Sequence, residues 1–252
     1  MPRATATFPQ ELTMCTGANA RVAVLDSGRN PNFPLLKCTN DSVFDCIMKN
    51  GSLQINNIAN SENSDRCEHG SIVESLLRSI APRAAVDHYR ILDEHCACNG
   101  ELLCETLAAV VTRGYHIVNL SLGTQNERLL PKLVNVLKMA YERDVTIVAS
   151  SSNIGKTVYP ASFPYCISTS ATNTDDSLHL AFTPRSVVEF AAMGVNVLVD
   201  GPNGKLIRVT GSSYATAQVS GLAARAIELL GENASPLDIK ILLRNFARSR
   251  AA

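Results

Sequence analysis

Gly211-Ser212-Ser213-Tyr214-Ala215-Thr216-Ala217-Gln218-Val219-Ser220-Gly221 is the stretch around which the rest of the chain is organised. Beyond Ser213, apolar residues recur at Val219, Leu222, Ala223, Ala226, Ile227 and Leu230, a helical stripe that ends before Gly231. Small residues crowd the first turn, so another segment of backbone has room beside Ser213. A serine there sits at the positive end of the helix dipole, among unpaired N–H groups. Such surroundings suit a nucleophile whose reaction creates an oxyanion. The plainer reading makes Ser212 or Ser213 only an N-cap, and two earlier stretches weigh against it.

Arg21-Val22-Ala23-Val24-Leu25-Asp26-Ser27-Gly28 reads as a buried strand that ends on an acid and breaks at glycine. Glu68-His69-Gly70-Ser71 opens a helix whose core face is Ile72, Val73, Leu76, Leu77 and Ile80. The chain thus presents an acid at a strand end, a histidine at a helix start and a serine at a helix start, in that order. Asp, His, Ser is one of the chain orders in which a nucleophile, its base and the base's orienting acid occur.

On these motifs the chain resembles the subtilisin-like serine proteases, the subtilases, from about Ala20 to about Phe246. Val22 to Gly28 is similar to the family's aspartate motif, His69-Gly70-Ser71 to its histidine motif and Gly211 to Gly221 to its serine motif. Asn119-Leu120-Ser121-Leu122-Gly123 is similar to its substrate-binding strand. Ala149-Ser150-Ser151-Ser152-Asn153 falls where the family carries its oxyanion asparagine. Tyr159-Pro160-Ala161 and Ala191-Ala192-Met193-Gly194 occupy two further signature positions. The resemblance implies that Ser213 attacks the scissile carbonyl, His69 is the general base, Asp26 holds the imidazole and Asn153 donates to the oxyanion. It also implies that Leu120, Ser121, Leu122 and Gly123 form one wall of the P1 pocket and Ser150, Ser151, Ser152 and Asn153 the other. Val158 stands at the pocket base, where the family often has glycine; a β-branched side chain there favours small or medium P1 residues.

Several positions depart from the family pattern. Ala217 stands where proline is usual, Tyr214 where methionine is common, Ser152 where glycine precedes the asparagine and Ser71 where threonine is usual. Glu74-Ser75 replaces a small Ala-Gly pair behind the histidine. None of these removes a proton-transfer group. Asp41, Asp45, Asp65 and Glu74 read as solvated or local capping acids, and His88 as a strand histidine. His95 and His116 lack partners of the required pattern.

Alternating strands and helices argue for an α/β chain with a mostly parallel sheet covered on both faces, the three-layer subtilisin-like fold that the resemblance implies. Strands are expected at 21–25, 86–92, 117–121, 145–149 and 166–171, with helices at 69–80, 101–113, 127–143 and 236–246. Residues 1–20 read as a surface arm, 29–66 as an irregular excursion with short strands, and 187–209 as a hairpin-like region. The 252 residues suffice for one domain with a substantial core. With 23 basic and 23 acidic residues, nothing points to nucleic acid or an anionic membrane. The N-terminus shows neither a signal peptide nor a membrane span, as expected of a cytoplasmic chain or of a secreted one whose leader and propeptide have been removed.

Cys15, Cys38, Cys46, Cys67, Cys96, Cys98, Cys104 and Cys166 are many for this fold. Their even number fits disulfides of unreadable connectivity. His95, Cys96, Cys98 and Cys104 offer an irregular zinc alternative without regular CxxC pairs, and each thiol can also be a small buried hydrophobe. The helix from His69 carries no Asn, Asp or Gly cluster for calcium. No metal or cofactor is therefore assigned. The functional reading is a serine endopeptidase acting on proteins or a peptide precursor. Alternatives are a transpeptidase or macrocyclase using the same acyl-enzyme, or a pseudoenzyme that binds without cleaving.

Overall fold

The computed structural model describes residues 8–37, 41–59 and 61–251. In chain order the elements are α1 (Phe8–Glu11), β1 (Arg21–Asp26), β2 (Val43–Lys49), β3 (Ser52–Ile58), α2 (His69–Ile80), β4 (Ala85–Arg90), α3 (Gly100–Val110), β5 (Ile117–Leu120) and α4 (Leu130–Glu142). They continue with β6 (Thr146–Ser150), β7 (Cys166–Thr172), β8 (Leu180–Phe182), β9 (Phe190–Met193), β10 (Val197–Asp200), β11 (Leu206–Val209), α5 (Ser212–Leu230) and α6 (Pro236–Ala251).

Nine strands form one sheet in the order β3-β2-β4-β1-β5-β6-β7-β9-β8. The pairings from β2 through to β9 are parallel, and only the edge strands β3 and β8 run antiparallel. Alternate residues of β1 serve the two faces. Val22 and Val24 join the core packed by α2, α5 and α6, whereas Ala23 and Leu25 join the core under α3 and α4. Both faces are covered, so the strand is apolar throughout.

The strand order reverses direction at β1, which pairs with the later β4 on one side and with β5 on the other. In open α/β sheets, sites collect at the carboxyl ends of strands beside such a switch. Asp26 ends β1 and Ser121 follows β5, so both lie on that rim.

Differences from the sequence expectation have local causes. Residues 43–58 form a regular hairpin, and β2 inserts into the main sheet beside β4. Only Val43 and Cys46 of its seven residues are buried, which leaves little hydrophobic period to read. Helix α4 begins only at Leu130; a 3₁₀ turn at Glu127–Leu129, capped by Asn126, precedes it, and Pro131 sits in the first turn where its missing N–H costs nothing. Only β10 and β11 form the expected hairpin, because β9 pairs with β7 instead. Within the described part of the N-terminal arm Leu12 is buried in the core, while Met14 stays exposed. Glu228 Oε2 accepts the Thr16 and Ala18 amides at 2.7 and 2.9 Å, and Arg225 Nη1 donates to Thr13 O at 2.9 Å. Residues 1–7 lie outside the described residues. Among the described residues, no helix is long and apolar enough to cross a membrane.

Helix α5 crosses α2 at Gly221. A Cβ there would lie 2.7 Å from Ile80 Cβ and 3.0 Å from the Leu77 carbonyl O. Gly221→Ala is expected to destabilise the fold by ~1–3 kcal/mol through overpacking, read as a lower urea midpoint. An unchanged or raised midpoint would contradict this account of the crossing.

Candidate active site

Asp26 is wholly buried at the end of β1, and its Oδ1 accepts the Ser27 amide at 2.8 Å. His69 opens α2 after Glu68, whose left-handed φ of 62° turns the chain into the helix. The His69 Nδ1 then lies 2.7 Å from Asp26 Oδ1. Burial opposes a charge on this imidazole, but the Asp26 carboxylate, through its charge and its hydrogen bond, and the more distant Asp65 outweigh it. The His69 pKa is raised above its ordinary 6.5.

Asp65 organises the space behind this pair. Its Oδ1 accepts Ser27 Oγ at 2.8 Å, and its Oδ2 accepts Ser71 N at 2.8 Å and Ser71 Oγ at 2.6 Å. Ser27 Oγ in turn accepts the Gly70 amide at 2.9 Å. One carboxylate thus caps the start of α2 and ties it to the residue after Asp26. Asp65 is buried rather than solvated. Its place a few residues before a helix start is the signal that identifies it as a capping acid.

Ser213 is the second residue of α5. Its Oγ donates to the Ser121 carbonyl at 3.0 Å. Ser121 Oγ donates back to Ser213 O at 3.0 Å and accepts Asn119 Nδ2 at 3.0 Å, while Ser220 Oγ donates to Asn119 Oδ1 at 2.9 Å. The buried Asn119 thereby fixes the start of α5 to the end of β5. Ser212 plays a different part, donating its Oγ to Ser151 O at 2.6 Å.

The exposed Asn153 uses Oδ1 to accept the Ser212 amide at 2.8 Å, and its Nδ2 lies beside Gly211, 3.7 Å from where a Cβ on that glycine would stand. Tyr214 N is bonded to Gly211 O at 3.2 Å. The Ser213 amide lies between these two engaged neighbours. The Tyr214 ring stands 5.7 Å from the His69 ring, centroid to centroid, and covers one side of the imidazole. In the sequence this tyrosine stands out only as a departure from the family pattern; its place directly after the helix-start serine is what brings it against the histidine.

The residues expected to line the substrate pocket divide. Leu120 is wholly buried among core side chains, so its side chain lines no cleft, and Leu122 packs partly on the same core. Ser121 and Ser150 are buried at the strand ends, whereas Gly123, Ser151 and Ser152 retain exposure. Val158 lies across from Gly123: a Cβ on the glycine would meet Val158 Cβ at 3.4 Å. The two strips are locked by the reciprocal Thr124–Tyr159 backbone bonds at 2.8 Å each.

Cys67 and Cys96 form a disulfide, with Cα atoms 6.6 Å apart, that ties the segment before His69 to the exposed turn at 93–99. Cys96 is therefore unavailable to the zinc set. Cys15, Cys46, Cys104 and Cys166 are buried free thiols, and burial pushes Cys46 and Cys104 up to about 11 and Cys166 to about 12. Cys38 lies outside the described residues. Glu74 is fully buried, contrary to its reading as a solvated or local capping acid, because Arg29, Arg78 and His88 converge on its carboxylate.

Residues 17–252 match the model of the subtilase family, peptidase class S8. The chain is 28% identical over 245 residues to the minor extracellular protease Epr of Bacillus subtilis (strain 168), covering 92% of this chain and 35% of that protein. It is 25% identical over 242 residues to thermitase of Thermoactinomyces vulgaris, covering 95% and 85%. The chain thus spans about a third of the length of the first of these relatives and most of the second. Among solved structures it superimposes on a cold-adapted subtilisin-like serine proteinase with a TM-score of 0.73 at 19% identity, over 92% of this chain and 83% of that one. It superimposes on sphericase with 0.72 at 21% identity, over 96% and 91%. These neighbours share the three-layer α/β fold built here on the nine-stranded sheet. The chain belongs to the subtilase family.

Proposed function

We propose that the chain is a serine endopeptidase that hydrolyses protein or peptide substrates through an acyl-enzyme on Ser213. The observation that carries this reading is the 2.7 Å contact between the buried Asp26 and His69, with Ser213 and Asn153 on the same rim. Ser213 Oγ first turns from the Ser121 carbonyl to His69 Nε2, which takes its proton as Oγ attacks the scissile carbonyl. Asp26 keeps the Nδ1–H tautomer and stabilises the imidazolium. The oxyanion is met by Asn153 Nδ2 and the Ser213 amide. His69 then protonates the leaving amine, and water, activated by the same imidazole, releases the acyl group.

Incubation with mixed peptides, with products analysed by mass, is expected to yield hydrolysed fragments. Exclusively joined or cyclised products would favour acyl transfer to an amine, and absence of any product would favour a binding role. Asn153→Ala is expected to lower kcat by ~10²–10³-fold with the fold intact, as loss of the corresponding donor does in subtilisin. A variant with wild-type kcat would remove Asn153 from the oxyanion site.

The base must be neutral to act, and its pKa is raised, so kcat/KM is expected to fall with decreasing pH through a midpoint above 6.5. A midpoint below 6.5 would contradict the Asp26 contact as the controlling influence.

Val158 facing Gly123 shortens the P1 pocket, so small or medium P1 residues are expected, with a graded preference of ~1–3 kcal/mol per methylene or so. Cleavage dominated by Phe or Tyr at P1 would refute the occlusion.

A further inference from the structure

Beneath the rim lies an ionic cluster that the proposed reaction does not use. Glu74, on α2, sits at its centre. Arg29 Nε lies 3.2 and 3.4 Å from its two oxygens, Arg78 Nε donates to Oε1 at 2.8 Å, and His88 Nδ1 lies 3.4 Å from Oε2. Arg78 also pairs with Asp41, whose other oxygen accepts the Val86 amide at 3.0 Å, and Arg29 donates to the Leu36 carbonyl. Arg29, Glu74, Arg78 and His88 are all buried.

The connections of Glu74 run to both halves of the Asp26–His69 pair. Arg29 belongs to the loop that leaves Asp26, three residues on. His88, on β4, lies under the first turn of α2: a Cβ on Gly70 would be 2.9 Å from His88 Nε2 and 2.5 Å from the Gly28 carbonyl O. His88 Nε2 has no hydrogen-bond partner in this contact. The imidazole is there as a spacer beneath the residue next to His69. Glu74 fixes that spacer on one side and the Asp26 loop on the other.

We infer that Glu74 is a positioning residue, one that sets the Asp26–His69 geometry by holding Arg29 and His88 at once. The idea rests on the reading of Asp26, His69 and Ser213 as the reacting set. The same node has a stability side. Burial opposes its charge, but the hydrogen bond from His88 and the charges of Arg78 and Arg29 outweigh it and hold the Glu74 carboxyl at about 2. Removing a buried pair's partner strands the remaining charges, so a stability change alone cannot decide the matter.

The test uses the full chain carrying Glu74→Gln, which keeps the volume and removes the charge. Two quantities are read: kcat and KM on a peptide amide, and the proton resonance of His69 Nδ1–H. A positioning role predicts kcat lower by roughly tenfold to a hundredfold, as small displacements at a reacting centre produce, with KM within about twofold and a shifted Nδ1–H resonance. A folded variant with wild-type kcat, or with an unmoved resonance, overturns the inference. If Glu74→Gln does not fold, His88→Asn decides. It empties the space under Gly70 while leaving Arg29, Glu74 and Arg78 paired, and the same two outcomes apply. The resonance reports the Asp26–His69 hydrogen bond whether or not the chain cleaves peptides, so failure of this inference is separable from failure of the endopeptidase reading.

Discussion

The 2.7 Å contact between Asp26 and His69 is the constraint on which the rest of the site depends. An ionised carboxylate with no exposure costs several kcal/mol to bury unless it is paired and hydrogen-bonded. In the folded chain Asp26 Oδ1 takes the Ser27 amide and, from the start of α2 brought across the end of β1, His69 Nδ1, while Oδ2 has no hydrogen-bond partner. Asp65 makes that approach a fixed one, since it bonds both Ser27 and Ser71. Geometry and charge are thus set by the same contact: the arrangement that stabilises the carboxylate also raises the affinity of His69 for a proton.

Helix α5 supplies the other half. Its buried residues include Ala215, Ala217, Gly221, Ala223 and Ala224, and at Gly221 the absence of a side chain lets α2 approach its axis closely. A short polar chain, Ser220 to Asn119 to Ser121, reaches from mid-helix to the rim and returns to the Ser213 carbonyl. The Ser213 turn is held by the middle of its own helix. Ala217, where the family usually has proline, is among those buried residues, and α5 runs through it without a break.

Much of this was legible in the sequence because each principal residue stands at a junction between an apolar-periodic run and a break. Asp26 ends a strand, while His69 and Ser213 begin helices, and local chemistry marks all three points. Asn153 was legible through its place after strand β6, and the helix from His69 to Ile80 through its unbroken phase. What escaped depends on partners distant in the chain. Glu74 looks like an ordinary helix-surface acid until Arg29 and His88 arrive from other elements. The Cys67–Cys96 bridge depends on how the turn at 93–99 folds back, which spacing does not encode. Leu120 reads as a pocket wall from its neighbourhood in the motif, whereas the strand's two-residue period sends its side chain into the core. Strand β3 carries too little apolar character at the sheet edge to announce itself, and β8 is only three residues long.

The central claim is that this arrangement activates Ser213 and no other hydroxyl. Its most direct test is reaction of the intact chain with a fluorophosphonate serine probe, followed by proteolysis and mass mapping of the adduct. The account predicts a single adduct, on Ser213, that forms faster as His69 loses its proton. An adduct on Ser212 or any other residue, or none on a folded chain above the His69 pKa, would contradict it.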